Sequence, residues 1–488
     1  MLRSELCQPA KKLPPFIFFS LLLTALAIAG PALTAGHTDE VVPAYPMRKI
    51  NPTGFKITYQ GILAWVPVSK NASVAFGRDG TINSETNGLV SFLLSDRGTF
   101  SSPRTIASGK EVVERATAVW IDGNGGGSSA GTPYGFIFVL FISNHLIPGK
   151  GETAMVRMAK FDSQGRLSGG WKELLKIKTP PGLYICNQSL GAASKGTSVG
   201  VVLSLVYPTY GIESRLQKSA AYFIEISASG GTKIGKTVSL PLPRSGDNDY
   251  ALAYGPVWNG TRWLIPVSVG LQINDDKSYD VLGNKALVIS VTGDTAHKTA
   301  AHLIASDTLP YYPTYMDLLL APYPDSSSDY LLFMKYAHRP SCSFSLNRLN
   351  GSGKPIKSKK VAIPALTYKI LSDPSYKISG GPFDYWTPIV AHDGTLFVSR
   401  LHSIDAANVV AGTHEFEQQF NLYAINARSG AVELKARSYM NLYQNYATRS
   451  LMNRFPDGGM AVINNLMQYK DRPHRSYFSR FDVLGSAD

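Results

Sequence analysis

Three cysteines in 488 residues are too few for a disulfide scaffold, and their isolation excludes a zinc site built on paired Cys ligands. Charged residues make up only 17% of the chain, and no Lys/Arg block is long enough to serve as a nucleic-acid arm. Outside the first 30 residues no stretch of 12 or more shows a 3.6-residue apolar period, so little helix is expected. The twelve-residue calcium-loop pattern of the EF-hand is also missing, although Asn274, Asp275, Asp276 and Asp280 supply oxygen atoms.

What the chain does have begins with a leader. Arg3, Lys11 and Lys12 precede an apolar run from Phe16 to Gly30, followed by small residues. This reads as a signal peptide over residues 1–35, with cleavage after Ala29 or Ala35. The run falls short of the roughly 20 residues needed to span a bilayer. A non-cleaved anchor is the alternative; with cleavage the protein is secreted or periplasmic, without a membrane span. Losing Arg3, Lys11 and Lys12 together with Glu5 lowers the net charge of +13 by 2, so the remainder stays strongly basic. Such a surface favours anionic partners, and export makes nucleic acid an unsuitable one. Cys186 and Cys342 then remain, either as one bridge or as two buried thiols.

Seven Gly-centred turns recur after apolar strands, at Gly98, Gly165, Gly231, Gly293, Gly353, Gly430 and Gly485. Their spacings of 67, 66, 62, 60, 77 and 55 residues mark a repeat architecture. The unit PVWNGTRWLIPVSVG, at 256–270, is two apolar runs joined by an Asn259-Gly260 turn, a strong hairpin signal. A long connection, the strand ALVISV and the turn at Gly293 complete four strands, A to D. The expected fold is therefore all-β: a seven-bladed β-propeller of four-stranded blades spanning 60–488. The seventh unit ends one strand short, and a strand from the 36–59 segment is expected to complete that blade and close the ring. Six blades, a propeller with an appended small domain, or a sandwich or solenoid array are the alternatives.

The string YGPVWNGTRWLIPV, with VAHDGTLFVS and NRFPDGGMAVI, resembles the degenerate repeats of secreted bacterial β-propeller proteins over most of the chain. WD dipeptides at blade ends, the paired glycines of kelch repeats and the Ser-x-Asp-x-Gly-x-Thr-Trp box of sialidases are absent. The resemblance therefore implies the propeller fold and carries no catalytic residue across.

In such a fold the B–C and D–A loops share one face. His145, His338, His402, His414 and His474 are expected in B–C loops, five of the nine histidines. Tyr210, Arg215, Tyr311, Tyr385, Trp386, Tyr446 and Arg475 fall in these or the adjoining D–A loops and, with His145 and His402, are the candidate ligand contacts. The expected ligand is an anionic polysaccharide or cell-envelope component held by a monomer, through stacking on aromatic rings and cationic contacts to carboxylates. Tyr207, Tyr312, His338 and Arg339 are candidate catalytic residues of a polysaccharide lyase, with Tyr or His as base and Arg neutralising a uronate. A glycoside hydrolase would draw its carboxylates from Asp249, Asp317, Asp384 and Asp405. An envelope protein-interaction scaffold is a third reading. No cofactor is expected, and although His145, His338 and His402 could meet at a metal, their spacing does not support one.

Overall fold

The structure is a computed structural model. It describes residues 48–50, 57–69, 71–79, 88–107, 112–121, 136–144, 153–179, 185, 187–208, 217–227, 233–242, 250–275, 278–293, 295–298, 306–307, 316–323, 329–337, 342–363, 368, 370–378, 383–390, 395–440, 445–454, 460–468 and 475–481.

These residues are all-β apart from one 3-10 turn at Ile370–Ser372. The strand β1 (Arg48–Ile50) stands apart in sequence from seven successive antiparallel sheets. Sheet 1 orders β2 (Ile57–Ser69), β3 (Ala72–Asp79), β4 (Gly88–Ser95) and β5 (Arg104–Ala107). Sheet 2 orders β6 (Val112–Trp120), β7 (Phe136–Asn144), β8 (Thr153–Phe161) and β9 (Lys172–Lys178). Sheet 3 orders β10 (Asn187–Lys195), β11 (Ser198–Pro208), β12 (Gln217–Ser227) and β13 (Lys233–Ile234), with β14 (Val238–Ser239) also on β12.

In sheet 4, β15 (Tyr250–Ala253) and β16 (Val257–Trp258) both pair with β17 (Trp263–Asp275). Next comes β18 (Ser278–Thr292), which carries β19 (Thr295–Lys298) and β20 (Ser306–Asp307). Sheet 5 orders β21 (Met316–Pro322), β22 (Tyr330–Ala337), β23 (Cys342–Leu349) and β24 (Pro355–Val361). In sheet 6, β25 (Tyr376–Ile378) and β26 (Phe383–Val390) pair with β27 (Thr395–Asn408), followed by β28 (His414–Asn426) and β29 (Val432–Met440). Sheet 7 orders β30 (Asn445–Arg454), β31 (Met460–Gln468) and β32 (Arg475–Phe481), and β1 is its fourth strand, with Lys49 opposite Tyr477.

Five of the seven Gly turns fall within the described residues, and these lie where the repeat puts them. Gly98, Gly165, Gly293, Gly353 and Gly430 each separate the third and fourth strands of a sheet, all at positive φ from 56 to 80°. A side chain at such φ clashes with its own backbone, which is why glycine recurs there. Asx and Ser turns lock these corners: Asp162, Asn350 and Asn426 each accept two or more backbone N–H bonds through Oδ1, and Ser95 Oγ accepts two. Gly231 and Gly485 lie outside the described residues, as do the leader and Cys186.

Between sheets the packing is apolar. Ala154, Val156 and Met158 of β8 meet Val199, Val201 and Ile224 of sheet 3, while Phe161 meets Phe76 of sheet 1 edge-on at 5.0 Å. Each large side chain buried this way contributes roughly 1.5–3 kcal/mol. Contacts pass from β2 to β6, β6 to β10, β10 to β15, β16 to β21, β21 to β26, β26 to β30, and from β30 to β2.

Two sequence expectations change. Sheet 1 starts at Ile57, inside the 36–59 segment. The long B–C connections of sheets 4 and 6 are hairpin arms rather than loops: β17 and β18 stay paired out to Asp275–Ser278, and β27 and β28 out to Ala407–His414. The strand period of two simply continues through polar residues. Ile404 and Ala406 still alternate into the interior beyond His402.

Candidate functional site

The face of sheet 6 that meets sheet 5 changes character along its length. Cross-strand partners on this face are Leu396 with Ile425, Val398 with Tyr423, Arg400 with Asn421, His402 with Gln419 and Ile404 with Glu417. The first two pairs join Phe344, Leu346 and Val361 of sheet 5 in one apolar cluster. The next two are polar, yet Arg400, His402, Gln419 and Asn421 are all buried. Buried polar groups persist only where hydrogen bonds replace water, so this end of the interface is built around a network.

Its bonds come partly from the chain between sheets 5 and 6, a D–A strap over residues 368–378. The Tyr368 hydroxyl and His402 Nε2 are hydrogen-bonded, with ring centroids 5.2 Å apart. The tautomer decides which of the two donates. Ile370 N–H donates to Glu417 Oε2 at 2.7 Å, and Gln419 Nε2 donates to Glu417 Oε1 at 3.0 Å. Arg437 Nε donates to Asn421 Oδ1 at 3.0 Å.

Farther along, the Tyr376 hydroxyl donates to Glu415 Oε1 at 2.5 Å, and that bond holds the phenol above the ordinary tyrosine range. Asp373 accepts from the Ser375 hydroxyl at 2.6 Å and its N–H at 2.9 Å, which pull its carboxyl below the usual range. Val409 N–H reaches Ser375 O at 2.8 Å, tying the strap to the tip of the β27–β28 arm. His414 Nδ1 lies 3.1 Å from Asp405 Oδ1 on the arm itself. The strap leaves Tyr368 half-exposed above a buried imidazole, a position from which the phenol can meet a ligand and exchange a proton with His402.

Of the residues singled out from sequence, His402 is buried in mid-strand, where a B–C loop was expected, because the β27–β28 arm extends past it. Tyr207 lies in β11 opposite Lys218, Tyr385 and Trp386 in β26 opposite Leu401 and Arg400, Tyr446 in β30 opposite Met467, and Arg475 in β32 opposite Leu466. These too are strand positions rather than loop positions. In the β26–β27 register Trp386 is the partner of Arg400 and Asp384 the partner of His402. His145, Tyr210, Arg215, Tyr311, Tyr312, His338 and Arg339 lie outside the described residues. Among the described residues no three His, Cys, Asp or Glu side chains gather as a metal group, and no helix is long and apolar enough to cross a membrane.

Sequence reasoning passed over Tyr368, Arg400, Glu417, Gln419, Asn421 and Arg437. Their signal was present in phase: Glu417, Gln419 and Asn421 occupy the same alternation as Tyr423 and Ile425, so polar residues stand where the period calls for core.

No family model matches the chain, and no curated protein matches it. Among solved structures it is similar to the NanB sialidase of Streptococcus pneumoniae, with 11% identity, 90% of this chain and 71% of that chain covered, and a TM-score of 0.39. It is also similar to the α-L-arabinofuranosidase Arb93A of Fusarium graminearum, at 11% identity, 90% and 97% coverage and TM-score 0.37. A Penicillium chrysogenum α-L-arabinanase complexed with arabinobiose overlaps at 9% identity, 90% and 97% coverage and TM-score 0.39. Overlaps of this depth assign neither a family nor an activity.

Proposed function

We propose that the protein is an exported seven-bladed β-propeller, its last blade completed by β1, that binds an anionic glycan or cell-envelope ligand on the B–C/D–A face. The run of first-strand contacts from β2 round to β30 and back to β2 supports the ring, and the pairing of β1 with β32 supports its closure. The observation that carries the binding reading is the change of the sheet-6 face from apolar to buried polar at the end covered by the strap. Arg400, His402, Gln419 and Asn421 are buried in that network, so they would serve the site by holding the half-exposed Tyr368 where a ligand that presents carboxylates and hydroxyls can reach it. The net charge, +13 for the full chain less the 2 carried by the leader, supports an anionic partner.

The test is retention on an immobilised polyuronate against a neutral polysaccharide. Retention on the polyuronate should exceed that on the neutral matrix, fall as salt rises, and drop for Tyr368→Ala. Equal retention on both matrices, or a Tyr368→Ala variant that behaves as the parent does, overturns the reading.

A polysaccharide lyase is the second reading, favoured by the Tyr368–His402 pair with Arg400 two residues away on the same face. The phenol or imidazole would take the proton alpha to a uronate carboxylate, whose charge Arg400 offsets. The electron pair forms a C=C bond as the glycosidic oxygen leaves. Unsaturated products absorb in the ultraviolet; a panel of uronic-acid polysaccharides that yields no absorbance gain ends this reading.

A further inference from the structure

On the opposite face three of the described C–D turns share a packing contact that a fourth lacks. A methyl group placed on Gly165 of sheet 2 would lie 3.1 Å from Val74 of sheet 1, and one on Gly353 of sheet 5 would lie 3.2 Å from Val288 of sheet 4. One on Gly430 of sheet 6 would lie 2.9 Å from Lys359 of sheet 5. In each case the turn is pressed against the preceding sheet. At the turn of sheet 4, by contrast, no described residue lies within 4 Å of the same point on Gly293. The space so opened toward sheet 3 is a cleft of ≈ 220 Å³ lined by Phe223, Glu225, Lys233, Gly235, Lys236 and Gly293, with Ser227.

The walls of this cleft are chemically specific. Glu225 is held in place because its Oε2 accepts from Trp263 Nε1 at 3.1 Å and its Oε1 lies 3.6 Å from Lys195 Nζ. Lys195 in turn sits over the Trp258 ring at 3.5 Å, and Trp258 packs edge-on against Trp263 at 5.3 Å. The carboxylate is thus a fixed hydrogen-bond acceptor on a rigid aromatic base. Lys233 and Lys236 are exposed at the mouth, and their side chains have no ion pair or hydrogen bond among the described residues. Counting Lys195 against Glu225, the cleft carries two cations in excess. Lysines on an outer strand discourage edge-to-edge pairing, which accounts for their presence but not for the withdrawal of the Gly293 turn.

We infer that this cleft between sheets 3 and 4 is a binding site for one acidic monosaccharide unit, its carboxylate met by Lys233 and Lys236 and a hydroxyl donating to Glu225. Its volume lies below that of pockets for drug-sized ligands, which limits it to a single sugar residue. The site does not depend on the loop-face reading, since it lies on the turn side and shares no residue with sheet 6.

Calorimetric titration with glucuronate, with glucose and with inorganic phosphate tests it. Glucuronate should bind saturably, glucose should not, and phosphate should bind more weakly, having no hydroxyl framework for Glu225 to accept from. The Lys233→Ala/Lys236→Ala variant should lose about tenfold or more in affinity while melting at the parent's temperature, as expected for two exposed charge-assisted contacts. The inference is overturned if glucuronate shows no saturable heat, if glucose or phosphate matches it, or if the double variant binds as the parent does.

Discussion

At the scale of single residues, the C–D turns combine a backbone demand with a packing demand, and the two can be separated. Gly293 and Gly353 both need positive φ, at 56° and 80°, but only Gly353 faces a close neighbour. Alanine at either position incurs backbone strain of about 1–2 kcal/mol. Gly353→Ala must also displace Val288, so its thermal midpoint should fall further than that of Gly293→Ala; equal losses would mean that strain alone sets the cost. The capping residue is the second half of the corner. Asn350→Ala removes the acceptor for the Ser352 and Lys354 N–H groups and should destabilise by ~1–2 kcal/mol in denaturant unfolding. These positions were legible in the sequence because local chemistry dictates them: glycine for the φ, Asn or Asp for the turn. Tyr368 was not, because its role comes from His402, 34 residues away, and no local pattern announces such a meeting.

At the scale of elements, the strap and the arm of sheet 6 form one unit. Their tie points respond to pH in opposite directions. Asp373 has a depressed pKa in the folded chain, so its contribution is present above the ordinary carboxylate range and is lost as pH falls through the lowered value. Tyr376 has a raised pKa, so its contribution is present below about 10 and is lost as pH climbs through the raised value. The protection of the Tyr376 and Val409 amides from exchange, taken relative to the intrinsic rate at each pH, should therefore fall at both extremes of pH. In Tyr376→Phe the alkaline change should disappear and the acid change remain; an unaltered alkaline limb would detach Tyr376 from the strap's stability. The arms also explain why strands were legible while their ends were not. Apolar alternation marked the middle of each hairpin, but in DAANVVAGTHEFEQ the partner strand, rather than hydrophobicity, keeps the backbone extended.

At the scale of the molecule, the seven sheets were foreshadowed by the Gly period, and the odd strand count of the last unit pointed to its missing member. Nothing in RKI itself marks it as a strand; its assignment rests on the vacancy it fills beside β32. Deleting residues 1–53 should leave the outer edge of β32 open, lower the melting temperature and promote association at micromolar concentration, read by light scattering. A truncated chain that stays monodisperse with the parent's midpoint would remove β1 from any part in closure.

The pairing of Lys49 with Tyr477 also governs the order of assembly. Hairpins within a sheet join neighbours a few residues apart, whereas this contact spans nearly the entire polypeptide and cannot form until β32 has left the ribosome. Closing so large a loop is slow, and contacts of this separation are made late in folding. A circular permutant with the 48–56 segment placed after Phe481 would turn the slowest step into a local hairpin. It should reach the same native signal with a faster final phase in refolding from urea, separating the speed of folding from the stability of the folded chain.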